Sequence, residues 1–153
     1  VSTRYRASRA LQAFILSRAG DYVAVDRDTL PEVQAMIDLN YEPDMMPVWS
    51  GGCERTIYSA PAVNHAFRAW HDRLHIRLGA AFNADGEFRV ACAHVAEARK
   101  AGLSDADCCA LWADVWGQFR YAETHGGEFP ANQDIFVAAV FRRGLDAAIT
   151  ATY

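Results

Sequence analysis

Apolar residues recur every three or four positions through most of the chain, and the rhythm breaks at glycines and prolines. In "YRASRALQAFILSRAG" the residues Ala10, Leu11, Phe14 and Ile15 share one face of a helix that Gly20 closes. "DYVAVD" follows as a short β-rich segment. "DTLPEVQAMIDLN" sets Thr29 and Glu32 at capping-box spacing with Pro31 in the first turn, which predicts a second helix reaching Asn40. Between Tyr41 and Ala60 the pattern fails, because Pro43, Pro47, Gly51 and Gly52 interrupt it. There "PVW" and "RTIYS" read as a small hairpin around "SGGCE". A loop-rich stretch of this length suits a lid or binding loop, and also a structural plug.

Helical spacing resumes at Pro61 and runs through Phe67, His71, Leu74, His75 and Leu78 to Phe82, with "NADGE" as the connection. A fourth helix is expected over Glu87 to Lys100. A fifth is capped by Ser104, with Cys108, Leu111, Trp112, Val115, Phe119 and Ala122 turned inward, and it stops at "HGG". After "EFPANQ" a sixth buries Phe136, Val137, Val140, Phe141, Leu145 and Ala148. The expected fold is therefore mainly α, with about six helices. The last four form an up-and-down bundle, and a minor β-hairpin or loop element occupies residues 41–60.

A chain of 153 residues, 52% hydrophobic and 22% charged, suits one domain over residues 1–153 that buries its core without disulfides. Its net charge of -4 offers no general attraction to nucleic acid or anionic lipid. The run of Arg4, Arg6, Arg9 and Arg18 reads as a solvated helix face. No segment approaches the ~20 apolar residues that span a bilayer, and no signal-peptide pattern is visible, so the expected location is cytoplasmic. Cys53, Cys92, Cys108 and Cys109 lack metal-knuckle spacing and read as buried thiols.

The chemistry concentrates in "FRAWHDRLHIRLGAAF". Side chains four apart on a helix lie one turn apart on one face, so His71 and His75 are able to reach a single ion. The short connection makes the third and fourth helices antiparallel, and position n on the third then faces roughly position 167 minus n on the fourth. That count sets His94 between His71 and His75, with Glu97 near the level of Trp70. Three imidazoles and an acid suit zinc or a similar divalent cation. Asp72 is the candidate base or ligand-orienting acid, with Glu97 the second candidate.

Over five residues "HDRLH" resembles the HExxH helix of zinc metallopeptidases, with aspartate for glutamate and with Gly79 one place later than the metzincin pattern requires. "HD" also resembles the metal-binding doublet of HD-type phosphohydrolases, which need an earlier histidine on another helix. His65 is too near to supply it. Neither resemblance assigns a family.

Asp114, Gln118, Tyr121 and His125 form a second polar stripe, and hairpin counting places Gln118 near Glu87. Glu87, Gln118 and Tyr121 are thus the expected substrate-side residues, unless the stripe is a hydrogen-bonded core network. Cys53 with His65 or His125 has no spacing that supports a nucleophile. The expected function is a zinc-like hydrolase or lyase acting on a small molecule, with His71, His75 and His94 as ligands. The alternative is a non-catalytic interaction or regulatory protein whose histidines belong to the core and whose partner is another protein.

Overall fold

The computed structural model describes residues 3–153. Helix α1 (Arg9–Arg18) leads into strand β1 (Asp21–Val25), α2 (Leu30–Asp38) and β2 (Met45–Trp49). The long helices α3 (Pro61–Leu78) and α4 (Ala84–Lys100) form an antiparallel hairpin. One rod then runs through α5 (Asp105–Trp112), a π-helical turn (Ala113–Gly117) and α6 (Gln118–Thr124). The chain ends in α7 (Gln133–Arg143) and α8 (Leu145–Ala148). Among the described residues, no helix is long and apolar enough to cross a membrane.

Helix α3 is the axis of the molecule and packs against α1, α2, α4, β1 and β2. Pro61 opens it, since a missing N–H costs nothing in the first turn. Gly79, with φ +57°, closes it in the left-handed conformation that glycine adopts without strain. Trp70 and Ile76 are buried with Leu11 and Ile15 of α1 in one core. Phe14 meets the Trp70 ring edge-on at 5.4 Å.

The β element differs from the expected hairpin. "DYVAV" pairs in parallel with "MMPVW", in register from Asp21 with Met45 to Val25 with Trp49. Parallel strands need a crossover, and α2 supplies it. The "RTIYS" backbone is satisfied elsewhere: Ala7 N–H donates to the Ile57 carbonyl and Asp134 N–H to that of Arg55. Local spacing proposed a hairpin; two distant segments took up the same hydrogen-bonding groups first. The expected sixth helix also breaks at Gly144, φ +81°, into α7 and α8.

Two of the amino-terminal arginines are engaged, Arg4 with Asp134 at 3.7 Å and Arg18 with Glu97. Cys53, Cys92, Cys108 and Cys109 are free thiols, but of the four only Cys108 is buried as expected: Cys53 is partly buried, and Cys92 and Cys109 lie on exposed positions of their helices.

Candidate metal centre

On α3 the Nε2 atoms of His71 and His75 lie 3.1 Å apart. Glu87, in the first turn of α4, faces both with its carboxylate: Oε2 lies 3.4 Å from His71 Nε2 and Oε1 3.4 Å from His75 Nε2. One ligand atom from each residue lies within 4.8 Å of the others. Bonds of about 2.0–2.1 Å at tetrahedral angles put ligand atoms roughly 3.3–3.4 Å apart; the two nitrogens, and each nitrogen with its own carboxylate oxygen, stand near that spacing.

The orientation of His75 is set by backbone. Its ring is fully buried, and Nδ1 lies 2.8 Å from the Ala80 carbonyl, an acceptor only. Nδ1 therefore donates, which leaves the Nε2 lone pair of the neutral ring facing Glu87 and His71. Gly79 makes the turn that returns the Ala80 carbonyl towards its own helix, with the Ala80 N–H bonded to the His75 carbonyl. Metal-binding histidines are commonly held by a hydrogen bond of this kind on the distal nitrogen.

Charge is arranged accordingly. Burial opposes ionisation of Glu87, but the charge and hydrogen bond of His71 above all outweigh it and hold the carboxyl well below its ordinary range. Burial also opposes protonation of His71, yet Glu87, with smaller help from Asp72 and Asp114, raises its pKa. Burial and the His71 charge lower that of His75. A proton drawn to the centre therefore resides on His71 beside an ionised Glu87.

His94 occupies a different place from the one expected. Its Nε2 lies 3.0 Å from Nδ1 of His71, on the side away from the three converging ligand atoms. Its ring stacks on Phe67 and meets Trp70 edge-on at 4.1 Å. Burial, then the His71 and His75 charges, drive its pKa well below the ordinary value. The cause of the displacement is the turn. With α3 ending at Leu78 and α4 beginning at Ala84, the hairpin is centred on residue 81, so position n faces about 162 minus n. The register moves by more than a turn, which carries His94 past the pair and brings Glu87 to the level of His75.

Glu97 does not join the centre. Its carboxylate accepts from Trp70 Nε1 at 2.7 Å and from Arg18. Tyr121 is likewise in the core, its ring 3.7 Å from that of His125 and its hydroxyl accepting from Tyr153 N–H. Gln118 stands behind another side chain, donating to Asp114. Cys53 and His65 form no nucleophile–base pair: Asn64 donates to the thiol at 3.2 Å, and His65 meets the Ser50 carbonyl at 3.3 Å.

Asp72 does face the centre's approach. A cavity of about 300 Å³ is lined by His71, Asp72 and Glu87 together with Arg68, Trp49 and Phe129. Burial and Glu87 push the Asp72 carboxyl up to about 6, against the opposing His71 and Arg68 charges. Of the expected lid, Trp49 reaches this cavity, with the Arg68 guanidinium 5.1 Å above its ring. A wider groove of about 600 Å³ between α4 and α5, lined by Cys92, Cys109 and Trp112 among others, includes none of the three converging residues.

Comparison with protein-family models, curated proteins and solved structures finds no match to this chain. The centre is therefore argued from its own geometry.

Gly86 is the residue that this geometry depends on and that sequence reading passed over. Asn83 caps α4 by accepting from the Gly86 N–H at 2.9 Å, and a Cβ on Gly86 would lie 1.8 Å from the Ala81 carbonyl oxygen. The carbonyl is backbone and a Cβ is fixed to the backbone, so neither gives way by changing rotamer. Gly86→Ala is expected to prise open the turn, costing about 1–3 kcal/mol and lowering Tm by roughly 2–4 °C per kcal/mol. Glu87 moves with it, so metal affinity falls too; a variant with unchanged Tm and affinity would show that the turn yields elsewhere.

Proposed function

We propose that this protein is a divalent-metal-dependent hydrolase or lyase of a small molecule, with a zinc-like ion held by His71, His75 and Glu87. The observation that carries the reading is the convergence of two imidazole nitrogens and a buried carboxylate within 4.8 Å, with the His75 lone pair turned inward by Ala80. Two acceptors facing a carboxylate repel one another unless a cation or a proton lies between them.

Three protein ligands leave a fourth position for water, whose pKa such an ion lowers towards neutrality. The outer cavity is the approach for substrate. Asp72 lines it with a carboxyl near 6, a value that lets it accept a proton from water at neutral pH and return it to a leaving group. Arg68, in the same lining, offers positive charge to a polar substrate group. Tag-free, chelator-treated protein titrated calorimetrically with zinc is expected to take up about one ion per chain and to release protons. No uptake, with Tm unchanged by zinc, would overturn the reading.

One observation favours the alternative, a non-catalytic protein with core histidines. A metal-free hydrogen-bond chain is available if His94 Nε2–H donates to His71 Nδ1, His71 Nε2–H to His75 Nε2, and His75 Nδ1–H to Ala80. In that chain the buried His94 Nδ1, which has no partner among the described residues, is left as a bare acceptor. The zinc titration separates the two readings.

A further inference from the structure

Beyond the outer cavity, His71 and Glu87 also border a second, smaller chamber of about 100 Å³. Phe67, Val115, Phe119 and Phe129 make its apolar walls. The remaining polar group is Asp114, which is 8% exposed.

Asp114 sits in the π-helical turn Ala113–Gly117 that interrupts the rod between α5 and α6. Such turns widen the helix by one residue and re-aim side chains, and they recur at functional sites. Tyr58 Oη donates to one Asp114 oxygen at 2.9 Å, and Gln118 Nε2 donates to the other. Each carboxylate oxygen keeps a further lone pair. A carboxylate fixed from behind by two donors, beside three phenyl rings, suits a group that brings N–H or O–H donors, and an ammonium most of all.

We infer that this chamber is a specificity site for a short amine- or hydroxyl-bearing arm of the substrate, with Asp114 as the acceptor, while the reacting group lies on the ion at the His71 and Glu87 boundary. The inference rests on the metal reading above. Size limits the arm: about 100 Å³ accommodates roughly three waters' worth of volume, hence an arm of about three or four heavy atoms. The substrate class that follows is a small amino- or hydroxy-acid derivative whose carbonyl meets the metal.

Hydroxamates, which chelate zinc through two oxygens, test this without knowing the substrate. Zinc-loaded protein is titrated with glycine and β-alanine hydroxamates, with their alkyl counterparts propiono- and butyrohydroxamate, and with benzohydroxamate. At least one amine-bearing probe is expected to bind about tenfold more tightly than its alkyl counterpart, and benzohydroxamate to bind more weakly than either. Asp114→Asn should abolish the amine preference with zinc affinity unchanged within about twofold. Equal affinities in the wild type, or a preference that survives Asp114→Asn, would overturn the inference, as would tight benzohydroxamate binding. Should Asp114→Asn misfold, Phe119→Trp narrows the chamber instead, and is expected to weaken the longer probes while sparing acetohydroxamate; equal binding of all would overturn it. The initial zinc titration reports on the metal reading alone, so its failure is distinguishable from failure of the chamber.

Discussion

Glu87→Gln is expected to weaken zinc binding by about a hundredfold or more while leaving a folded protein. Glutamine keeps the shape of the side chain but removes the charge, and the charge is what offsets the cost of holding a dication beside two buried imidazoles. The same substitution alters the pH dependence of stability, and the sign follows from His71. Its folded pKa is raised, by Glu87 above all against the opposing effect of burial. Its contribution to stability is therefore fully present below its unfolded value of about 6.5 and is lost as pH rises through the higher folded value. Zinc-free wild-type protein should lose stability from this group as pH rises above about 6.5. Zinc-bound protein should show the reverse trend, because rising pH frees the ligand nitrogens for the ion. In Glu87→Gln both trends should flatten: burial then opposes protonation of His71 against only the smaller help of Asp72 and Asp114, and the ion binds weakly. Thermal melts from pH 6 to 8, with and without zinc, read this out. A variant that still binds zinc as the wild type does would remove Glu87 from the ligand set.

Much of the fold was legible because it rests on local rules. The mainly helical character, the cap at Ser104 and the antiparallel hairpin of α3 and α4 follow from spacing and terminal residues. The histidine pair was legible for the same reason, since a four-residue separation is a local property of a helix. The third member was not. Its identity depends on where the hairpin turn is centred, and Gly79, Ala80 and Gly86 decide that through a left-handed cap, a carbonyl and a close backbone contact. Gly79, four residues after His75, is itself a stop signal, but Phe82 continues the apolar period beyond it and masks the helix end. The parallel pairing of β1 with β2 was illegible for a different reason: twenty-four residues separate the paired positions Asp21 and Met45, and nothing local to either segment names its partner.

Arg73→Met is expected to be the most destabilising single change outside the core, at about 3–5 kcal/mol. Arg73 lies inside "HDRLH" but on the face of α3 away from His71 and His75, where its neighbours in sequence gave no hint of a role. It is 5% exposed. Nε donates to the Ala19 carbonyl at 2.9 Å; Nη1 to Glu42 and the Pro43 carbonyl, both at 2.9 Å; Nη2 to the carbonyls of Asp21 at 2.7 Å and Asp44 at 2.9 Å. All five N–H donors are thus used. The ends of α1 and the starts of both strands are tied to the centre of α3 by this one guanidinium, with Gly20 leaving room for it where a Cβ would come to 3.1 Å from Nε. Methionine fills comparable volume but strands four carbonyls and leaves the Glu42 carboxylate to Arg77 alone, and the cost of unpaired buried acceptors exceeds any gain in apolar contact. Lysine should rescue little, because a point charge with three donors does not span carbonyls on both sides. For a chain of this length the Met variant should melt roughly 6–20 °C lower, as denaturant and thermal unfolding will show. The consequence reaches the site through β2, whose last residue, Trp49, lines the outer cavity beside Arg68. At temperatures where Arg73→Met remains folded, zinc affinity should stay within about threefold of wild type, since His71, His75 and Glu87 belong to the α3 and α4 hairpin and not to the strands. A large loss of zinc binding in a folded Arg73→Met protein would instead mean that the strand pair holds the metal centre in place.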